Sequence, residues 1–218
     1  MNVLHIDSSA FGATSASRQL SAAAVQILRD SNADVNVIYR DFAERPPAHL
    51  SPALLQALRP QPGARVDPMR EVADELHLTE TLISEFLDAD VVVLGAPMYN
   101  FSVPSSLKAW IDRVAQAGRT FRYTEKGPVG LAGGKTVIVV STRGGAYSGN
   151  PALAFLDHQE SYLKAVFGFI GITDVRFVRA EGVAMGDAAK ATATAAAEAD
   201  IQAHTGEAAN EGKAAIRA

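Results

Sequence analysis

Cysteine is absent from the 218-residue chain. That absence removes disulfides, thiolate metal sites and cysteine nucleophiles together, and it fits a reducing compartment. No apolar run approaches the roughly 20 residues that a bilayer-spanning helix needs. The opening residues, MNVLHIDSS, read as a strand ending in an acid; they lack the basic and long apolar regions of a signal peptide. Positive charge is not in excess. Lys and Arg number 20 against 24 Asp and Glu, a formal charge of -4, so neither nucleic acid nor a membrane is an expected partner. His5, His49, His77, His158 and His204 have no metal-ligand spacing; each reads as structural or surface, and no metal is expected. There is no G-x-G-x-x-G and no G-x-S-x-G, which removes the dinucleotide fingerprint and the nucleophile elbow. Residues 130–136, GLAGGKT, look like a P-loop but are one residue short and precede a strand instead of linking strand to helix. A cytoplasmic protein is expected.

What is present is a core. At 48% hydrophobic residues, the chain supports one well-cored domain, placed at residues 1–205, with an Ala-rich tail at 206–218 expected to fray. The organising stretch is 91–101, VVVLGAPMYNF. Its β-branched start marks a strand buried on both faces. The strand is expected to break at Gly95-Ala96-Pro97 and to present Met98, Tyr99, Asn100 and Phe101 in a loop.

Other elements fall on either side. Residues 3–6 read as the first strand, followed by a loop carrying Ser9, Ser15 and Ser17 and a helix over 18–29. A strand over 34–39 precedes a Pro-rich, irregular excursion at 40–67 with a short helical piece at 51–58. An amphipathic helix spans 68–87. Beyond the organising stretch come a helix over 104–117, a loop over 118–134, a strand over 135–140 and a Ser141-Thr142-Arg143-Gly144-Gly145 turn. A helix over 155–169, a strand over 174–183 and an Ala-rich helix over 187–203 complete the series. Trp110 reads as core or subunit interface. Alternating strands and helices predict an α/β fold, a three-layer doubly wound parallel five-stranded sheet of order 2-1-3-4-5. The right-handed crossover rule puts the loops after strands one, three and four at one end.

Those loops suggest a ligand. A strand, a hydroxyl-rich loop and a helix N-terminus together suit a phosphate, because the first-turn amides and the helix dipole favour an anion. Ser15 or Ser17 serves equally well as a simple N-cap. Asp7, beside this loop, reads as a partner for loop backbone, not for phosphate. Gly144-Gly145 is either a tight turn or a place where backbone approaches a ligand. A single phosphate cradle beside a flat slot walled by Met98, Tyr99 and Phe101 describes FMN.

The same residues resemble a known family, the bacterial FMN-dependent NADH-azoreductases, which are flavodoxin-like quinone reductases. The resemblance covers essentially the whole chain. It rests on Ser15-Ala16-Ser17, on Pro97-Met98-Tyr99-Asn100-Phe101 followed by V-P-x-x-L-K-x-W-I-D, on the T-F-R-Y-T loop at 120–124, and on Thr142-Arg143-Gly144-Gly145. It implies a flavodoxin-like fold, FMN as cofactor and NADH or NADPH as electron donor. Quinones and azo compounds are the implied acceptors, reduced in two half-reactions. Ser9, Ser15, Ala16 and Ser17 would hold the FMN phosphate; Pro97 to Phe101 and Thr142 to Gly145 would hold the isoalloxazine and ribityl parts. The family's homodimers place flavin near the subunit interface, so Phe121 and the aromatics of 155–169 are expected to wall the substrate slot. No side chain is assigned as catalytic acid or base. The alternatives are a flavodoxin-type electron-transfer module without a substrate of its own, and an acyl-carrier-protein phosphodiesterase, for which no metal cluster or nucleophile is evident.

Overall fold

The computed structural model describes residues 1–59 and 70–216. In chain order the main elements are β1 (Asn2–Asp7), α1 (Ala16–Ser31), β2 (Asn36–Asp41), α2 (Pro52–Leu58), α3 (Arg70–Asp88), β3 (Val91–Pro97) and α4 (Ser105–Val114). They continue with β4 (Phe121–Thr124), β5 (Gly127–Gly130), β6 (Thr136–Arg143), α5 (Gln159–Phe169), β7 (Asp174–Glu181) and α6 (Asp187–Ile216). The five-stranded sheet has order β2-β1-β3-β6-β7 and every pairing in it is parallel. This is the doubly wound sheet and the strand order expected from the alternation of elements.

The centre of the sheet is buried because its strands carry apolar side chains on both faces. β3 and β6 are buried at every residue. Alternation divides those side chains between two cores. Val91, Val93, Ile138 and Val140 pack with Leu20, Ala24 and Leu28 of α1 and with Ala197 and Ile201 of α6. Val92, Leu94, Val137 and Val139 pack with Leu82 and Phe86 of α3, Trp110 of α4 and Leu163 and Phe167 of α5. Trp110 therefore belongs to the core, edge-on to Phe86 with ring centroids 5.5 Å apart.

Several boundaries differ from expectation, each for a local reason. α1 begins at Ala16, two residues early, because Ser15 acts as N-cap and accepts from the Arg18 amide. β2 lies at Asn36–Asp41, not 34–39; as a half-buried edge strand it takes its register from full-length pairing with β1. β3 does not break at Gly95-Ala96 but runs on to Pro97, paired with β6 throughout. Gly95 is required by a close approach, not by a turn: a Cβ there would lie 2.3 Å from Asp7 Oδ1. The expected 118–134 loop contains the antiparallel β4–β5 ribbon. Gly130 of that ribbon lies so close to Gly171 that a Cβ would sit 2.1 Å from the Gly171 amide. β6 extends to Arg143, which places Ser141, Thr142 and Arg143 on the strand and leaves Gly144 to begin the turn. α4 ends at Val114 and β7 at Glu181, short of expectation. α5 begins at Gln159, with residues 154–156 in a single 3-10 turn before it. α6 continues through Gly206 to Ile216, with Ala208 buried against the sheet core. The end of the expected 40–67 excursion and the expected start of α3 at Pro68 lie outside the described residues.

Candidate functional site

At the carboxyl end of the sheet, β1 delivers Ser8 and Ser9 into the first loop. Ser8 Oγ donates to the Gly95 carbonyl at 2.8 Å, fixing the loop to β3. The loop closes through one 3-10 turn at Gly12–Thr14. Ser15 Oγ and Ser17 Oγ lie 3.0 Å apart, and Ser9, Ser15 and Ser17 are all buried. Ser15 is the N-cap of α1, and its hydroxyl also stands in a serine cluster. The amides of Ala16 and Ser17 fall in the first turn, where a helix supplies no acceptor. An anion placed there meets donors and the positive end of the dipole.

The second wall is a tight turn over residues 99–102. The Tyr99 amide donates to the Ser102 carbonyl at 2.9 Å and the Ser102 amide returns to Tyr99 at 3.1 Å. Asn100 and Phe101 both have positive φ, 47° and 73°, the conformation of a type I′ turn. Such a turn leaves the amides of its two central residues outside the turn bonds. The His158 amide holds the Phe101 carbonyl at 3.0 Å. Tyr99 ties this turn to the serine loop: its hydroxyl accepts from the Ala10 amide at 3.0 Å and lies 3.4 Å from Ser9 Oγ.

The third wall begins where β6 ends. The Met98 amide donates to the Thr142 carbonyl at 2.8 Å. The amides of Gly182, Val183 and Ala184 donate to the carbonyls of Gly145, Arg143 and Gly144, which pins the glycine turn to the turn after β7. A Cβ on Gly144 would meet the Ala184 methyl at 3.4 Å.

Together these walls enclose a cleft of about 460 Å³, within the range of small-molecule sites. Of the residues expected at the cofactor, Ser9, Ser15 and Ala16 line it from the first loop, Pro97, Met98 and Tyr99 from the second, and Thr142 and Gly144 from the third. Ser17 stands just behind them at 3.0 Å from Ser15. Asn100 faces an adjoining cavity of about 420 Å³ that shares Tyr99 and also takes in Lys108 and Tyr162. Burial, with the nearby Asp112 carboxylate, pushes the Tyr162 hydroxyl up to about 12.

Other expected residues sit elsewhere. The Arg143 side chain is fully buried away from the cleft, with Nη1 2.7 Å from Glu181 and 3.0 Å from Asp157 and Nη2 2.7 Å from Glu160. Gly145 lies against Tyr147, whose ring stands edge-on to Phe101 at 6.5 Å. Phe121 is buried against Phe169, ring centroids 4.6 Å apart; Tyr123, Phe155 and Phe169 are exposed. Asp7 bonds side chains where loop backbone was expected: Ser21 Oγ donates to it at 2.7 Å and the Tyr39 hydroxyl at 3.0 Å.

Phe11, Thr14, Val183, Ala184 and Lys190 also line the cleft and were not anticipated. Lys190 adds an exposed ammonium to a lining otherwise made of hydroxyls, amides and apolar groups. The signal that points to the last three is topological: the turn after β7 shares the carboxyl edge of the sheet. Among the described residues no group of three or more His, Asp or Glu could hold a metal ion, and no helix is long and apolar enough to cross a membrane.

The donor set fits FMN. Buried hydroxyls and first-turn amides suit a phosphate, and the cleft beside them has the volume of a small-molecule site with Met98, Tyr99 and Phe11 in its lining. Comparison with known proteins agrees. A family model described as "flavodoxin-like fold" matches residues 1–205. An FMN-dependent NADH:quinone oxidoreductase of Polaromonas naphthalenivorans is 57% identical over 214 residues, 98% of each chain. One of Azospirillum brasilense is 56% identical over 203 residues, 93% of this chain and 97% of the relative. Among solved structures, an azoreductase of Bacillus anthracis superposes with a TM-score of 0.85 at 26% identity, covering 95% of this chain and 99% of its own. An FMN-dependent NADH-azoreductase of the same organism, in complex with FMN, gives 0.84 at 25% identity over 96% of this chain and 100% of its own.

Proposed function

From the premise that the chain belongs to the flavodoxin-like family whose model spans residues 1–205, we propose that it is an FMN-dependent NADH:quinone oxidoreductase that also reduces azo compounds. The observation that carries this is the single cleft in which the buried serines of the first loop face Met98 and Tyr99 across the end of the sheet. In this reading Ser9, Ser15, Ala16 and Ser17 hold the FMN phosphate. Pro97 to Phe101 and Thr142 to Gly145 hold the ring and ribityl parts, Arg143 acting through its backbone. Bound FMN supplies the hydride and two-electron chemistry that joins a nicotinamide donor to a quinone or azo acceptor.

The chain's own residues bind and orient. First-turn amides and serine hydroxyls donate to the phosphate. The Asn100 and Phe101 amides, which the type I′ turn leaves unused, are donors available to the polar edge of a ring. Tyr99 fixes the spacing between phosphate and ring subsites, because one hydroxyl contacts Ala10 and Ser9 while its backbone anchors the turn. The proton-bearing side chains of the cleft lining are the hydroxyls of Ser9, Thr14, Ser15, Tyr99 and Thr142 and the Lys190 ammonium; none is assigned as the acid or base of the reaction. Phe121, which lies outside this chain's own cleft, belongs in this reading to the wall that the second subunit supplies, behind exposed Tyr123 at 5.4 Å. The exposed rings of Tyr123 and Phe169, on either side of Phe121, support a homodimer whose second subunit covers this side, and the lack of cysteine supports a cytoplasmic location.

The test is the absorption spectrum of the purified protein followed by steady-state NADH oxidation with benzoquinone and with an azo dye. Bound flavin and acceptor-dependent NADH oxidation are expected. A protein that takes up FMN but oxidises no NADH with either acceptor would overturn the reductase reading and favour an electron-transfer module.

A further inference from the structure

Beneath the serine loop lies a polar cluster that the proposed reaction does not use: His5, Asp7, Arg18, Ser21, Tyr39 and Asp41. Arg18, the third residue of α1, is its hub. Its guanidinium grips Asp41 with both arms, Nη1 at 2.5 Å and Nη2 at 3.0 Å, and Nη1 also donates to the Tyr39 hydroxyl at 2.7 Å. Nη2 reaches back to the Ser9 carbonyl at 3.2 Å. The Arg18 amide donates to Ser15 Oγ at 3.5 Å. One residue therefore contacts both ends of the loop that spans Ser9 to Ser15.

We infer that Arg18 is the positioning residue of the anion cradle, setting the Ser9 backbone against the α1 N-terminus so that loop hydroxyls and helix amides converge on one phosphate. This rests on reading the cleft as an FMN site. Placement, not attraction, is its contribution. Asp41 and Asp7, the latter 3.8 Å from Nη1, offset the guanidinium charge before it can act on a phosphate. What remains is the planar fork, which holds a carboxylate and a carbonyl at fixed angles. Asp41 is itself clamped by the Ala43 and Glu44 amides at 3.0 and 3.3 Å, so the fork ties the cradle to the edge strand. The Arg18 Nε is buried without a hydrogen-bond acceptor. An unmet buried donor costs stability, so the fork is held for the geometry it imposes on Asp41 and the Ser9 carbonyl and not for a full set of hydrogen bonds.

The test compares the apoprotein's affinity for FMN with that for riboflavin, which lacks the phosphate, in wild type, Arg18→Lys and Arg18→Met. Lys keeps the charge that Asp41 faces but not the fork. Both variants are expected to bind FMN about tenfold more weakly and riboflavin less than twofold more weakly. A residue that only supported the fold would lower both affinities together. If Arg18→Met fails to give a cooperative melt, Arg18→Lys carries the comparison, since it leaves no carboxylate without a cation. A folded Arg18→Lys variant with the wild-type ratio of FMN to riboflavin affinity would overturn the inference. A wild-type protein that binds riboflavin as tightly as FMN would overturn it too. Failure of wild type to bind either flavin would instead overturn the FMN reading itself, and this inference with it.

Discussion

At Asn100 and Phe101 the backbone occupies a region that side chains resist. Asn tolerates positive φ because its short polar side chain fits locally; Phe at φ 73° is an outlier that costs about 1–2 kcal/mol. Asn-Gly is the dipeptide a type I′ turn prefers, so the chain carries a phenyl ring where stability favours none. Phe101→Gly is expected to raise the apoprotein's thermal midpoint, with a gain of up to about 1 kcal/mol, while quinone-dependent NADH oxidation falls severalfold. A variant less stable than wild type would mean that the ring's contact with Tyr147 outweighs the strain. Gly95 has the opposite logic. Asp7 Oδ1 would lie 2.3 Å from an added Cβ, and Asp7 is held by Ser21 and Tyr39, so it has nowhere to move. Gly95→Ala should cost about 1–3 kcal/mol, read as a lowered urea midpoint with an unchanged slope.

The elements around the cleft show what sequence patterns convey. Apolar runs place β1, β3 and β6, because a strand buried on both faces has a composition of its own. Crossover handedness then gathers the ends of those three strands without knowledge of any contact. A motif such as Thr142-Arg143-Gly144-Gly145 conveys adjacency but not the direction of side chains. Alternation along β6 sends Thr142 to the cleft and Arg143 to the opposite face, where it meets Asp157, Glu160 and Glu181. The β4–β5 ribbon was hidden because its strands are four residues each, and one carries Pro128. Lys190 was hidden because only packing of α6 beside the first loop brings it to the cleft. The Arg143 network has an element-scale consequence. Glu181, pinned by Arg143, accepts the amides of Tyr147 and Ser148 and so orders the turn that follows β6. Arg143→Met would leave three carboxylates facing one another without their shared cation. The expected loss is about 3 kcal/mol or more, together with rapid hydrogen exchange at the 144–148 amides. A loss below 1 kcal/mol would show that Arg179, which also holds Glu160, substitutes for it.

Across the whole molecule, carboxylates tied to cations and hydroxyls make folding sensitive to acid at both ends of the sheet. Asp41 ends β2 and Glu181 ends β7, on the two margins of the cleft; Asp174 begins β7 at the far end. Burial alone would raise all three. It is outweighed at Asp41 by Arg18 and the Ala43 and Glu44 amides, at Asp174 by Arg176 and Thr136, and at Glu181 by Ser148 and Arg143. Each therefore titrates below its ordinary value. A carboxyl group whose folded pKa is depressed stabilises the fold fully above its unfolded pKa, and the contribution disappears as pH falls through the folded value. With unfolded values near 4, the urea midpoint should change little through these groups between about pH 7 and 5.5, and it should drop steeply below about pH 4. Because Asp41 and Glu181 anchor the first loop and the glycine turn, flavin release should set in at or above the pH of global unfolding. A midpoint that stays level down to pH 3 would show that these carboxylates do not carry the fold. Flavin retained until the last of the secondary structure is lost would show that the cleft margins are no weaker than the core.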